Sequence, residues 1–154
     1  PEDIACSEYV YRFHKVAFSP APYFNLDEEY ALYQALRKLT GEKLVKSAHD
    51  LSEGGLAIAL LEAAFPNGLG FEIQTSGIRK DAFLFGEASG RVIVTVSEAG
   101  KAAFEAAMNA AGVPTLQLGK VTDGNAHIDG SDFGSVASFA TIYSTALENK
   151  LFGK

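Results

Sequence analysis

The segment from Leu56 to Phe65 restricts the fold more than any other part of the sequence. It is apolar nearly all round, with Glu62 as its charged residue. A helix without a polar face has to be covered by other elements. Gly54-Gly55 precedes this segment and Pro66-Asn67-Gly68 follows it, which predicts breaks at both ends. The segment therefore predicts a buried helix inside a layered domain.

The rest of the chain alternates between helical and strand patterns. Capping residues and apolar spacing predict helices over residues 25–41, 97–112 and 136–151, with Asn25 and Ser97 as N-caps. Strand patterns cover residues 43–49, 71–74, 91–96, 116–121 and 126–128. Asp123-Gly124 predicts a hairpin that pairs the last two strands. The predicted fold class is α/β (α+β), with a layered mixed β-sheet covered by helices.

Length and composition favour one globular domain with a core. Of the 154 residues, 47% are hydrophobic and 21% are charged. The aromatic-rich residues 1–25 show no sustained period, so we expect a lead-in segment there and one domain over residues 26–154. The chain begins at Pro1 without an initiator methionine, which indicates a fragment or a processed chain.

Charge and cysteine content limit the classes of partner. A net charge of −6 without a clustered basic surface argues against nucleic-acid binding. No apolar run is long enough to cross a membrane, and the N-terminus does not resemble a secretory signal. The single cysteine, Cys6, cannot form an internal disulfide, which fits a reducing compartment. We therefore expect a cytoplasmic protein.

The first motif, residues 47–56, reads Ser-Ala-His-Asp-Leu-Ser-Glu-Gly-Gly-Leu and leads from a predicted strand into the buried helix. Gly54 and Gly55 would let the backbone approach a ligand closely. The N–H groups of the first helical turn and the helix dipole favour an anion such as a phosphate, and Ser52 offers a hydroxyl donor. The alternative is structural: Ser52 caps the helix, the glycines form a steep turn, and Asp50 accepts from nearby backbone. Spacing alone favours this alternative.

The second motif, residues 84–91, reads Leu-Phe-Gly-Glu-Ala-Ser-Gly-Arg and precedes a predicted strand. It offers a carboxylate from Glu87, a hydroxyl from Ser89 and a guanidinium from Arg91. Arginine suits bidentate recognition of phosphate or carboxylate. The alternative is a local Glu87–Arg91 ion pair on a solvated turn, which the residue pattern by itself favours.

Neither histidines nor carboxylates form a metal-binding pattern in the sequence. His14, His49 and His127 are scattered along the chain. The acidic run from Asp123 to Asp132 has Ile128 where a calcium loop needs glycine, so it predicts hairpin and loop chemistry instead. We assign no metal ligands in this chain.

Together, the two motifs resemble the C-terminal-domain signatures of the phosphoribosylformylglycinamidine synthase family. The order and separation of the motifs fit, and Ser7-Glu8-Tyr9 and Gly119-Lys120-Val121 are similar to the same family. The family belongs to the aminoimidazole ribonucleotide synthetase-related superfamily, and the resemblance covers nearly the whole chain. Glu53 stands where the family often has aspartate.

The resemblance implies an ATP-dependent C–N ligase of purine biosynthesis. Such an enzyme converts formylglycinamide ribonucleotide, glutamine and ATP to formylglycinamidine ribonucleotide, with magnesium assisting. It implies that catalytic residues and most ATP and magnesium contacts lie in an absent N-terminal half. The residues implied to line the substrate or phosphate cleft are His49, Asp50, Ser52, Gly54, Gly55, Glu87, Ser89 and Arg91.

The resemblance also implies partners: the chain's own N-terminal ATP-binding domain, a glutaminase subunit or domain, and a small accessory subunit in the short form of the enzyme. We expect the isolated chain to be inactive. Two alternatives stay open at this stage. One is a sibling enzyme, either aminoimidazole ribonucleotide synthetase or selenophosphate synthetase. The other is a non-catalytic binding module that keeps the fold.

Overall fold

The computed structural model describes Ile4, residues 6–76 and residues 79–153. Helices and strands alternate along most of the chain, so the predicted mixed α/β class is confirmed. The helices are α1 (Glu8–His14), α2 (Leu26–Gly41), α3 (Gly55–Ala64), α4 (Lys80–Phe85), α5 (Lys101–Ala110) and α6 (Val136–Phe152). The strands are β1 (Val45–Asp50), β2 (Leu69–Ile73), β3 (Val92–Val96), β4 (Gly119–Asp123), β5 (Asn125–Ile128) and β6 (Ser131–Ser135).

The chain divides into two compact units. The first unit comprises residues 1–59 and 78–117, and the second comprises residues 60–77 and 118–154. The strands form two sheets rather than the one sheet that was predicted: β1 pairs with β3, and the other four strands form a second sheet. None of the described helices is both long and apolar enough to span a bilayer.

The first unit is built around α2, α5 and the β1–β3 ribbon. Asn25 caps α2 as predicted, because its side-chain oxygen accepts from the backbone N–H groups of Asp27 and Glu28 at 2.9 and 3.2 Å. The two strands run antiparallel. The side chains buried in this core are Ala35, Leu39, Val45, Phe104, Met108 and Val113.

Three local predictions in the first unit differ from the structure. Residues 8–14 form α1, although the lead-in showed no sustained period. Ser7 caps this helix by accepting from Val10 N–H. Helix α4 was not predicted at all. Ser97 precedes a one-turn 3-10 helix, Glu98–Gly100, and its side chain makes no capping hydrogen bond, so α5 begins only at Lys101.

The second unit contains a four-stranded mixed sheet in the order β4-β2-β5-β6. Strand β2 runs antiparallel to β4 and parallel to β5. The predicted pairing of β4 with β5 is therefore wrong, because β2 lies between them. The chain reverses at Gly124 and crosses close to Gly70, where an added Cβ would collide with the backbone of Asn125. Absence of a side chain at Gly70 makes this crossing possible.

The hairpin of this sheet lies at Asp129-Gly130, one Asp-Gly pair further along the chain. Both residues have left-handed backbone, with φ angles of 52° and 77°, and they join β5 to the antiparallel strand β6. Positive φ at both central residues is the tight-turn geometry that Asp-Gly favours. The sequence thus contains two Asp-Gly pairs, at 123–124 and at 129–130. Only the strand pairing in the sheet shows that the second pair forms the hairpin.

The acidic residues of this region accept local hydrogen bonds. Asp129 accepts from the backbone N–H and the hydroxyl of Thr75, each at 2.7 Å. Asp132 accepts from Gly134 N–H at 2.8 Å and from the Asn125 amide at 3.0 Å. The bond from Gly134 is the main cause that lowers the pKa of Asp132. These contacts are the loop chemistry predicted for the acidic run.

Helix α6 follows strand β6 and matches its predicted span to within a residue. Ser135 caps it by accepting from Ser138 N–H at 3.2 Å. On the same unit, the Tyr143 hydroxyl donates to Glu62 at 2.9 Å, and its ring lies 5.3 Å from that of Phe65. These contacts join α6 to the end of α3 and to the turn after it.

Candidate functional site

The two motifs lie side by side in the first unit. The end of β1 pairs with the start of β3, so that His49 is opposite Ile93 and Asp50 is opposite Val92. The ladder continues past the strand, because Leu51 N–H donates to the carbonyl of Arg91 at 3.0 Å. Residues 52–55 then form the turn that starts α3. Two segments distant in sequence therefore form one structural site.

Both glycines of the turn have left-handed backbone, with φ of 83° at Gly54 and 63° at Gly55. A Cβ on Gly55 would lie 2.7 Å from the carbonyl oxygen of Gly86 and 2.9 Å from that of Leu84. A Cβ on Gly54 would collide with the side chain of Ile58. Packing against the second motif and α3 therefore accounts for the glycine pair without a ligand.

Two N–H groups of the turn are already bonded within the protein. Gly54 N–H donates to Oε1 of Glu87 at 2.9 Å. Gly55 N–H donates to the carbonyl of Ser52 at 3.0 Å. The anion that faces Gly54 is therefore the carboxylate of Glu87, which comes from the second motif.

Arg91 holds the backbone of the second motif. Its guanidinium donates to the carbonyl oxygens of Gly86 and Ala88. Burial lowers the pKa of Arg91, although an arginine starts so high that it stays charged near neutral pH. Glu87 thus bonds to the backbone of the turn and Arg91 to the backbone of the second motif, which differs from the solvated ion pair that the sequence favoured.

The remaining polar groups of the motifs face solvent. Asp50, Ser52 and Ser89 are exposed. The half-buried ring of His49 makes a hydrogen bond of 2.7 Å between Nδ1 and the carbonyl of Asp50. Ser52 and Ser89 therefore present exposed hydroxyls, which can donate hydrogen bonds.

The structure adds α1 to this site. Glu8, the first residue of α1, donates its backbone N–H to the same Glu87 Oε1 at 2.8 Å. The ring of Tyr9 stacks on Phe85 of the second motif, with 4.6 Å between centroids and 5° between planes. Sequence reasoning missed the helix, although Ser7 before Glu8, with Arg12 four residues further on, is an N-cap followed by an i,i+4 ion pair.

The turn lies outside the cavity beside α1, and no metal cluster marks it among the described residues. A cavity of about 370 Å³ lies beside α1, and none of its lining residues, which run from Cys6 to Ser19, belongs to either motif. Over Ile4, 6–76 and 79–153, no group of three or more His, Cys, Asp or Glu side chains could hold a metal ion. The side chains of the site comprise the exposed hydroxyls of Ser52 and Ser89, the His49 imidazole and the Asp50 carboxylate, together with Glu87 and Arg91, which are bonded to backbone groups.

Comparison with known proteins identifies a family and several relatives that are similar to this chain. The family described as AIR synthase related protein, C-terminal domain, matches residues 23–129. Phosphoribosylformylglycinamidine synthase subunit PurL of Salinibacter ruber is 42% identical over 127 residues, which is 80% of this chain and 17% of that protein. The PurL subunit of Carboxydothermus hydrogenoformans is 38% identical over 120 residues, or 77% of this chain and 16% of that protein. The chain thus spans only about a sixth of these relatives.

Solved structures share the fold. Thermotoga maritima PurL complexed with FGAR aligns with a TM-score of 0.63 and 18% identity over 73% of this chain and 21% of that chain. The structure of PurLQS from the same organism aligns with a TM-score of 0.68 and 17% identity over 88% of this chain and 24% of that chain. The protein tt0281 from Thermus thermophilus has a TM-score of 0.55 and 25% identity over 82% of this chain and 41% of that chain.

Proposed function

Because this chain belongs to the family of AIR synthase related protein C-terminal domains, we propose that it is the C-terminal domain of a phosphoribosylformylglycinamidine synthase. One observation carries the proposal: the chain is 42% identical over 127 residues to a PurL subunit, over an alignment that covers 80% of its length. The proposed reaction is the ATP-dependent amidation of formylglycinamide ribonucleotide in purine biosynthesis.

The proposed role of this chain is to bind and orient the substrate or ATP phosphate, without supplying a catalytic residue. We propose that the Ser52 and Ser89 hydroxyls donate to phosphate oxygens, with His49 and Asp50 beside them. Gly54 and Gly55 belong to the proposed site because their left-handed backbone forms the turn that presents Ser52. Glu87 and Arg91 belong to the same site through their contacts with its backbone.

ATP and magnesium belong to the intact enzyme in this proposal. ATP supplies the phosphoryl group that activates the amide oxygen; ammonia then attacks the amide carbon, and the phosphorylated oxygen leaves as inorganic phosphate. Magnesium is proposed to be held mostly by the rest of the enzyme, which supplies the other nucleotide contacts. Solved Thermotoga maritima PurL structures in complex with ATP and with AMPPCP support nucleotide binding as a property of the proposed parent enzyme.

The proposal includes a domain division and partners. Residues 1–25 would lead from an N-terminal ATP-binding half, and residues 26–154 would form the synthetase C-terminal domain. The glutaminase and a small accessory subunit are proposed partners, supported by the solved Thermotoga maritima assembly named PurLQS. We also propose a cytoplasmic location, supported by this assignment and by the single cysteine, Cys6.

The test is an amidation assay on the full-length protein that carries this chain. With formylglycinamide ribonucleotide, ATP and ammonium, it should form formylglycinamidine ribonucleotide, ADP and phosphate. Turnover that requires instead formylglycinamidine ribonucleotide and ATP, or selenide and ATP, would assign the protein to a sibling enzyme and overturn the proposal.

Serine variants test the proposed phosphate contacts without disturbing the turn. Ser52→Ala and Ser89→Ala remove exposed hydroxyls, so we expect higher KM values for formylglycinamide ribonucleotide or ATP, by roughly tenfold to a hundredfold for one lost hydrogen bond to a charged group. Ser97→Ala removes an exposed hydroxyl outside both motifs and serves as the control. Normal KM values in both motif variants would remove these serines from the site.

A further inference from the structure

Glu87 is the side chain that joins the two motifs and α1. Its Oε1 accepts one hydrogen bond from Gly54 N–H at 2.9 Å and another from Glu8 N–H at 2.8 Å. The two donors belong to segments far apart in sequence. Glu87 is half-buried. One of its carboxylate oxygens therefore connects the turn before α3 to the first residue of α1.

Both donors are groups that need an acceptor. Glu8 N–H is one of the first N–H groups of α1, which have no partner within the helix. Gly54 N–H belongs to a left-handed residue that precedes α3. A charged acceptor makes stronger bonds to backbone N–H groups than a neutral one does. The carboxylate therefore holds these two backbone segments in a defined relation.

The same contact limits what a ligand can do. A phosphate that approached Gly54 N–H would displace the bond to Glu87 and would meet a negative charge. An incoming anion is thus directed to the solvent-facing side of the turn, where the Ser52 side chain is exposed. Glu87 therefore blocks Gly54 N–H from a ligand and leaves the Ser52 side of the turn open to solvent.

We propose that Glu87 is a positioning residue that orients the Ser52–Gly55 turn and the start of α1 for substrate, and that it does not touch the substrate. This inference rests on the proposed function for its kinetic consequence. The coupling of the turn to the start of α1 through the Glu87 carboxylate does not depend on any substrate.

The experiment compares Glu87→Gln and Glu87→Asp with Glu53→Gln in the full-length protein. Glutamine keeps the length of the side chain and a neutral acceptor oxygen, whereas aspartate keeps the charge but is shorter by one methylene. Glu53 is an exposed carboxylate on the same turn and provides the control for loss of charge.

Hydrogen–deuterium exchange provides the readout that is independent of activity. In both Glu87 variants, peptides that contain residues 52–56 and peptides that contain residues 7–10 should exchange faster together, with the rest of the chain unchanged. The Glu53→Gln variant should exchange like wild type. Unchanged protection in either segment of both Glu87 variants would overturn the proposal.

Kinetics provide the second readout. A misplaced turn should lower kcat/KM for formylglycinamide ribonucleotide by on the order of tenfold to a hundredfold in Glu87→Asp, and by less in Glu87→Gln. Loss of activity in Glu87→Gln with wild-type exchange would identify direct substrate contact and refute a positioning role. If wild type itself lacks amidation activity, the proposed function fails, while the exchange comparison still tests the coupling.

Discussion

Gly54 and Gly55 have similar backbone angles but different neighbours. An added Cβ on Gly54 would collide with Cγ1 and Cβ of Ile58, whereas an added Cβ on Gly55 would meet the carbonyl oxygens of Leu84 and Gly86, which cannot move without the second motif. Substituting either glycine therefore tests packing before it tests ligand binding. For this reason the exposed hydroxyl of Ser52 is the better probe of phosphate contact.

At the residue scale, we expect Gly55→Ala to destabilise the chain by about 2–5 kcal/mol. A left-handed alanine costs about 1–2 kcal/mol, and crowding of a packed site costs about 1–3 kcal/mol more. Gly112→Ala is the matched control, because Gly112 has φ of 68° and no atom within 4 Å of an added Cβ. Chemical denaturation should show only the conformational cost, about 1–2 kcal/mol, for this control. Equal losses in the two variants would contradict the packing argument.

Asp81 carries the second prediction at this scale. Hydrogen bonds from Arg79, both at 2.7 Å, are the largest cause that lowers the pKa of Asp81 from 3.8 to about 2. Because the pKa in the folded state is depressed, the stabilising contribution is present above about pH 4 and is lost as the pH falls through about 2. A carboxyl ¹³C titration should find this low midpoint.

Two variants check the cause of that shift. Arg79→Gln should move the Asp81 midpoint up towards 3.8. Arg12→Gln removes an exposed arginine that pairs with Glu8, so it should leave the Asp81 midpoint unchanged. A wild-type midpoint near 3.8 would mean that the Arg79–Asp81 pair does not persist in solution.

At the scale of elements, helices α2 and α5 pack against each other and contribute most of the buried side chains in the core of the first unit. Leu39 is 1% exposed and lies with Phe104 and Met108 in one buried cluster. Lys38, the preceding residue on α2, is exposed. Neighbouring positions on one helix therefore separate the contribution of packing from that of helix formation.

We expect Leu39→Ala to lower the free energy of unfolding by about 2–5 kcal/mol, because a large buried side chain is removed and a cavity is left. Lys38→Ala should change it by less than about 0.5 kcal/mol, since alanine suits a helix and the site is on the surface. Urea denaturation followed by circular dichroism measures both. A loss below about 1 kcal/mol for Leu39→Ala would show that this cluster does not support the fold.

At the scale of the whole molecule, the chain corresponds to only 16–17% of the length of the PurL relatives described above. In the proposed function, this chain contributes phosphate contacts from Ser52 and Ser89, and the catalytic residues lie in the rest of the enzyme. Such a site can orient a ligand, but phosphoryl transfer needs further groups.

The isolated 154-residue chain should therefore neither hydrolyse ATP nor form formylglycinamidine ribonucleotide. The measurement is a steady-state assay of phosphate release and product formation on the purified chain, with the full-length protein as the positive control. Turnover by the chain alone at about 1 per second or faster would show that its own residues carry out the reaction.

The sequence by itself determined the elements whose signals are local. Asn25 at the start of α2, the apolar run of α3 and the span of α6 follow from side chains within a few residues of one another. The two motifs were also recognisable, because each is a continuous run of residues. Helix α1 was missed, since its 7 residues are too few to show a period and are stabilised by contacts such as Tyr9 on Phe85.

Only the tertiary structure decided which segments meet. A strand's sequence encodes its extended conformation and its buried face but not its neighbour, so nothing local to Asp123-Gly124 could reveal that β2 lies between β4 and β5. The same holds for Glu87, whose sequence neighbour Arg91 suggested an ion pair. Its actual partners, the N–H groups of Gly54 and Glu8, come from distant segments. Backbone N–H groups are identical in every sequence, and folding alone determines which of them face a carboxylate.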